Sequence, residues 1–239
     1  VVLIAGNVVF HAEVLFNGAA DYGIRLGIAG VIVMIMLIGG RIVPSFTNNW
    51  LVKNNPGRLP ISFSRFDMIA IATGAIALLA WVGLPAHAVT GTLLLLAGAL
   101  HFVRLVRWAG DRTADDRLVL VLHVGYAFIP LGFVLVGASA LMNSIPASAG
   151  IHAWTAGGVG LMTLAVMTRA TLGHTGHPLK AGLSTQAIYG LVLMGALLRI
   201  AAALSGSIVL LECGGALWIA GFAGFVIVYG PLLATRKPA

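Results

Sequence analysis

The sequence predicts an all-α, polytopic transmembrane bundle of about eight membrane helices. Three observations carry that reading. Hydrophobic residues make up 59% of the 239 and charged residues 9%, against about a quarter charged in a soluble domain, so a water-facing surface cannot be assembled from them. Apolar runs long enough to cross a ~30 Å hydrocarbon core at ~1.5 Å per helical residue recur along the chain, and inside a bilayer each run must satisfy its own backbone as a helix. The few charges gather in alternate connections.

The first run, residues 1–17 (VVLIAGNVVFHAEVLFN), starts at Val1 without the charged flank of a signal sequence, which predicts that an N-terminal part of the protein precedes it. The second, 24–43, closes on Arg41 before the long basic connection NNWLVKNNPGRLPISFSR. Runs 66–84 and 89–106 are separated only by the tiny PAHA. The basic stretch RLVRWAGDRTADDR leads into 118–142, which Pro130 interrupts deeply, and the neutral MNSIPASAG leads into 152–168. After that run Gly173, Gly176 and Pro178 disfavour a helix, so the chain is expected to leave it near Leu172. The last runs are 184–204 and 207–233, the latter holding Glu212 and the single cysteine, Cys213. One cysteine excludes an intrachain disulfide or a cysteine-built zinc site.

Assigning every second connection to the cytoplasm leaves all Lys and Arg except Arg25 and Arg199 on the inner side: Arg41, Lys53, Arg58, Arg65, Arg104, Arg107, Arg112, Arg117, Arg169, Lys180, Arg236 and Lys237. This is the positive-inside pattern, and it places both termini of the chain in the cytoplasm. The formal charge of +7 is then a topology signal and gives no support to nucleic-acid binding. A weak echo between GVIVMIMLIGGRIVPSFT (30–47) and GVGLMTLAVMTRATLGHT (158–175) suggests two parallel four-helix halves within one transmembrane domain, 1–106 and 118–233.

Ionisable groups within a bilayer are costly and raise functional hypotheses. His101 lies six residues before Arg107 and His123 six after Arg117, so both are expected ~9 Å from the inner edge. Two level imidazoles on neighbouring helices suit the two faces of a b-type haem iron. Tyr126 shares a helix face with His123, and Arg104 with His101, while edge arginines can neutralise propionates. The alternative is that each histidine is hydrogen-bonded packing glue between helices. His11 and His152 fall in outer halves and form a second candidate metal pair, with Glu13 either orienting a ligand from outside the coordination sphere or reaching the interface. In the turn after 168, beside His174 and His177, Arg169 and glycine amides either hold an anion or form only a basic helix stop. No phosphate-binding glycine motif, Ser-His-Asp arrangement or cysteine pair is present.

FHAEVLFNGA, GGRIVPSFTNNW, LHVGYAFIPLG and above all HAWTAGGVGLMTLAVMTRATLGHTGHPL give the chain a resemblance to the NnrS family along nearly its whole length. These are bacterial inner-membrane proteins of the nitric oxide response, reported to hold haem and copper. Full members are longer and carry an N-terminal histidine motif of the HxHEM kind, so the resemblance implies further N-terminal helices as partners. Carried over by position, it implies site roles for His11 with Glu13, Arg41, His123 with Tyr126, His152, Arg169 and His174, and less firmly His101. His177 departs from the family pattern, where arginine is common, so the resemblance implies that His174 is the more important of the two and that His177 is replaceable by arginine. The expected function is a multi-pass haem protein, with copper as a second cofactor and nitric oxide as a small diatomic ligand met from the lipid phase. Turnover, sensing and protection are equal readings. A small-solute or metal-ion transporter using intramembrane histidines is the alternative, and an assembly scaffold a third.

Overall fold

The computed structural model describes residues 2–234. Among them the chain is helical throughout, without strands. The first run folds as α1 (Val2–Asn17), an apolar helix of 16 residues, shorter than the seven helices long and apolar enough to cross a membrane. Among the described residues the expected eight therefore resolve into seven of spanning length and one shorter apolar helix.

A single rod of 34 residues, Asp21–Asn54, follows: α2 (Asp21–Met34) passes through a π-helical turn, Ile35–Gly39, into α3 (Gly40–Asn54). The sequence reading ends this segment at 43, because the next residues are polar. The helix continues because Val43, Thr47 and Leu51, one above another on one face, are all fully buried. Helices α4 (Arg65–Gly83), α5 (Ala88–Val106) and α6 (Arg117–Ser139) come next, and α6 runs unbroken through Pro130. A second rod, Ala147–His174, joins α7 (Ala147–His152) through a π-helical turn, Ala153–Val159, to α8 (Gly160–His174). The hairpin of α9 (Leu183–Ser205) and α10 (Ile208–Ala234) completes the bundle. Both stretches of the internal echo adjoin a π turn, but in different register: one begins at Ile35, ahead of Arg41, the other at Ala153, much further ahead of Arg169.

The most enclosed helix is α6, packed by α5, α7, α8 and the second π turn. Glycines let α5 approach it at backbone distance, as small residues do in membrane bundles. A Cβ at Gly98 would lie 3.2 Å from the Pro130 carbonyl, and one at Gly91 2.9 Å from that of Gly137. These contacts set the antiparallel register of the pair. Outward faces are apolar, with Ile69, Leu79, Ile219 and Ile227 all exposed, the reverse of a water-soluble surface. Connections 55–64, 107–116 and 175–182 share one end, called the basic end below.

Helix α8 leaves its regular geometry two residues later than expected, at His174. Gly173 is tolerated within the helix, and Gly176, at φ +73°, supplies the left-handed residue of a Schellman cap: His177 N–H bonds Leu172 O at 2.9 Å and Gly176 N–H bonds Gly173 O at 3.3 Å. With Thr175 N–H on Thr171 O at 2.9 Å, the amides expected to cradle an anion are already committed to the helix.

Candidate functional site

The polar centre starts at the first turn of α4. Ser64 and Asp67 form a capping box, Ser64 N–H donating to Asp67 Oδ2 at 2.9 Å. The other oxygen, Oδ1, accepts from Arg104 Nε at 2.9 Å. Asp67 is 3% exposed and Arg104 not at all, so this ion pair is enclosed in protein within a membrane-spanning bundle, where either partner alone would be an uncompensated charge. Arg107 adds a bond to Ser64 Oγ at 3.0 Å and stands 3.6 Å from Asp67 Oδ2.

From Arg104 the network runs one way. Its Nη1 donates to the Met36 carbonyl at 2.8 Å, within the first π turn, and to the Tyr126 hydroxyl at 3.0 Å. Room for the guanidinium exists because residue 40 is glycine, where a Cβ would overlap it. His101 Nε2 faces the Ala70 carbonyl at 3.1 Å, and a carbonyl only accepts, so Nε2 carries the proton. Its Nδ1 therefore accepts from the Tyr126 hydroxyl at 2.9 Å. Arg104 to Tyr126 to His101 to Ala70 is a directed chain that engages both imidazole nitrogens of His101, whose ring also stacks on Phe133 at 5.6 Å.

His123 is built differently. The Thr47 hydroxyl donates to the Val43 carbonyl at 2.8 Å, so its oxygen accepts the Nε2–H of His123, also at 2.8 Å. That leaves the lone pair on Nδ1, which is buried and has no hydrogen-bond partner among the described residues. Trp108 meets the ring edge-on at 6.4 Å and Tyr126 at 4.6 Å. The two histidines are thus ends of an aromatic row and not rings facing across a slot. Nor are they level. The α5–α6 register sets His101 near Ile129 and His123 near Arg107, about 9 Å apart in depth. Counting from Arg107 and Arg117 as equal boundaries hides this, because α6 begins beyond the end of α5.

Of the remaining positions singled out in the sequence, Arg169 is half-buried over the Phe46 ring at 4.2 Å, and its Nη1 is buried without a partner among the described residues. Arg41 and His174 are exposed, as is His177, which pairs with Thr175 Oγ1 at 2.8 Å. His11 is exposed and has the Phe10 ring beside it. Glu13 caps the start of α2, accepting from Tyr22 N–H at 3.0 Å and Gly23 N–H at 2.6 Å. His152 is half-buried in a groove with Ser148, Gly206 and Ser207 at the α9–α10 turn, so its neighbours differ from those of His11. Asp67, Thr47 and Trp108 escaped the sequence reading. Only Asp67 carried a usable signal, the S-x-x-D box ahead of an apolar run.

Among the described residues, seven helices of spanning length around a buried Arg–Asp–Tyr–His network define a multi-pass helical membrane protein with an intramembrane polar centre. The family model described as NnrS protein matches residues 1–237, nearly the whole chain, and the chain belongs to the NnrS family, membrane proteins of the nitric oxide response. No curated protein and no solved structure gave a match.

Proposed function

We propose that this chain is a bacterial inner-membrane haem protein acting in the nitric oxide response, with His123 the protein's ligand to the haem iron and the basic end in the cytoplasm. One observation carries the reading: His123 holds a buried, unpartnered Nδ1 lone pair while its Nε2–H is fixed by Thr47, itself fixed by Val43. A metal-ligating imidazole characteristically has its other N–H held in this way. Haem would bring nitrogen ligands of its own, so a single protein imidazole would suffice to hold it. A copper ion held by protein alone needs several ligands, and among the described residues no group of three or more His, Cys, Asp or Glu stands together.

Haem held by His123 would supply an iron able to bind a neutral diatomic such as nitric oxide. Thr47 keeps the tautomer and aims the ring. Trp108 and the surrounding apolar side chains exclude water. Arg169 meets α3 at Phe46, next to the Thr47 that holds His123, and its unpartnered Nη1 is the candidate to hold a propionate. His101, both nitrogens engaged, belongs to the charge network. Purified protein should show a Soret band at stoichiometric haem. A preparation loaded with haem during expression that shows none contradicts the reading.

A further inference from the structure

The Nδ1 lone pair that the haem reading uses is closed off in this structure. After α5 the chain turns inward: Trp108 and Ala109 are buried, Ala109 takes a left-handed φ of 55°, and Gly110 lies so near His123 that a Cβ there would overlap Nδ1. No metal centre reaches that nitrogen, at bond lengths of about 2 Å, unless the 109–112 turn moves away.

Arg112 is what holds the turn. Its Nη2 donates to Asn55 O, Asn55 Oδ1 and Pro56 O, each at 3.0 Å, and its Nη1 donates to the Arg58 carbonyl. Asn55 Nδ2 donates back to Arg112 O at 3.2 Å. Arg58 Nη2 meets both carboxylate oxygens of Asp111, at 2.5 and 2.6 Å, and Ile61 N–H bonds Arg107 O at 3.0 Å. Gly57, at φ +141°, makes room for the guanidinium, since a Cβ there would lie 2.8 Å from Nη2. Connections 55–64 and 107–116 are therefore clasped into one body over His123. The clasp consists of bonds at the basic end that water can replace, whereas the imidazole beneath it is sealed from water with an acceptor unpaired, which is costly for a residue serving as packing alone.

We propose that this clasp is a gate. With Arg112 engaged, the turn at 109–112 covers His123 Nδ1; when Arg112 releases, the turn swings out and opens a path from the basic end for a transition-metal centre that binds imidazole. The proposal rests on the reading of His123 as a ligand, but it concerns access and is testable without haem.

Diethylpyrocarbonate attacks the unprotonated nitrogen of a neutral imidazole, and peptide mass mapping reports the rate at each histidine. In haem-free full chain in lipid nanodiscs, His174 and His177, exposed at the basic end, should react fast, and His123 and His101 slowly. Arg112→Ala should raise the His123 rate by roughly tenfold or more, because several charge-assisted bonds that keep the turn closed are lost, with His101 still slow. Asn55→Ala, which removes two of the side-chain bonds, should give a smaller rise in the same direction, and keeps the test available if Arg112→Ala fails to insert. An unchanged His123 rate, or His101 rising in step with His123, overturns the gate. Haem content of His123→Ala reports separately on the ligand reading, so either can fail alone.

Discussion

Arg104 keeps its charge inside the bundle because three different helices supply partners to its Nε and Nη1, a carboxylate from Asp67, a carbonyl from Met36 and a hydroxyl from Tyr126, while its buried Nη2 has none among the described residues. Removing one partner leaves the charge stranded, so Asp67→Ala should cost about 3–5 kcal/mol, read as a lowered unfolding midpoint of purified protein in detergent. Tyr126→Phe takes away the hydroxyl that links Arg104 to His101 and leaves His101 Nδ1 without its donor. The expected loss is about 1–3 kcal/mol by the same measurement, with haem content preserved, since His123 does not use that hydroxyl. Unaltered stability in both variants would remove the network from the account. His101, Tyr126 and Arg104 could be picked out in the sequence because each is a polar group in an apolar run. Asp67 could not be joined to Arg104, nor Thr47 to His123, since those bonds cross 37 and 76 residues of chain.

At the scale of elements, the rod of α2 and α3 shows how local irregularity serves the centre. The π turn at Ile35–Gly39 brings the Met36 carbonyl to Arg104, and Gly40 just after it leaves the guanidinium its space. Gly40→Ala should therefore destabilise by about 1–3 kcal/mol, whereas Gly27→Ala in α2, with open space around its Cβ position, should not. The end of α8 separates backbone from side chain in a similar way. His177 contributes its N–H to the Schellman cap, which any residue except proline can do, so His177→Arg should change neither haem content nor the unfolding midpoint, while Gly176→Ala should cost about 1 kcal/mol because of its left-handed backbone. Equal damage from the two substitutions would mean that the His177 side chain has a role the cap does not explain. Helix existence was legible in hydropathy, but helix ends were not. The buried stripe Val43–Thr47–Leu51 carries α3 through polar residues, and a tertiary contact of that kind leaves no mark in a sliding window.

The whole molecule is a multi-pass bundle whose basic connections 55–64, 107–116 and 175–182 share one end, so the orientation proposed from the positive-inside pattern turns on a single sign. A reporter active only in the periplasm should stay silent when fused after Ala239 and give signal when inserted at Asn143, between α6 and α7; the reverse pattern would invert the depth of every group discussed above. Composition sufficed to read the membrane class, and the motif around His152–Leu179 the family. The depth offset between His101 and His123 was hidden because it depends on the α5–α6 register, which glycine contacts fix. The ligand state of His123 is the central claim, and the most direct measurement is the optical spectrum of His123→Gly protein at normal membrane abundance, recorded before and after adding free imidazole. Loss or a clear shift of the Soret band is expected on substitution, with recovery on adding imidazole, which occupies the vacated ring position. A wild-type spectrum at wild-type haem content in His123→Gly would contradict the claim.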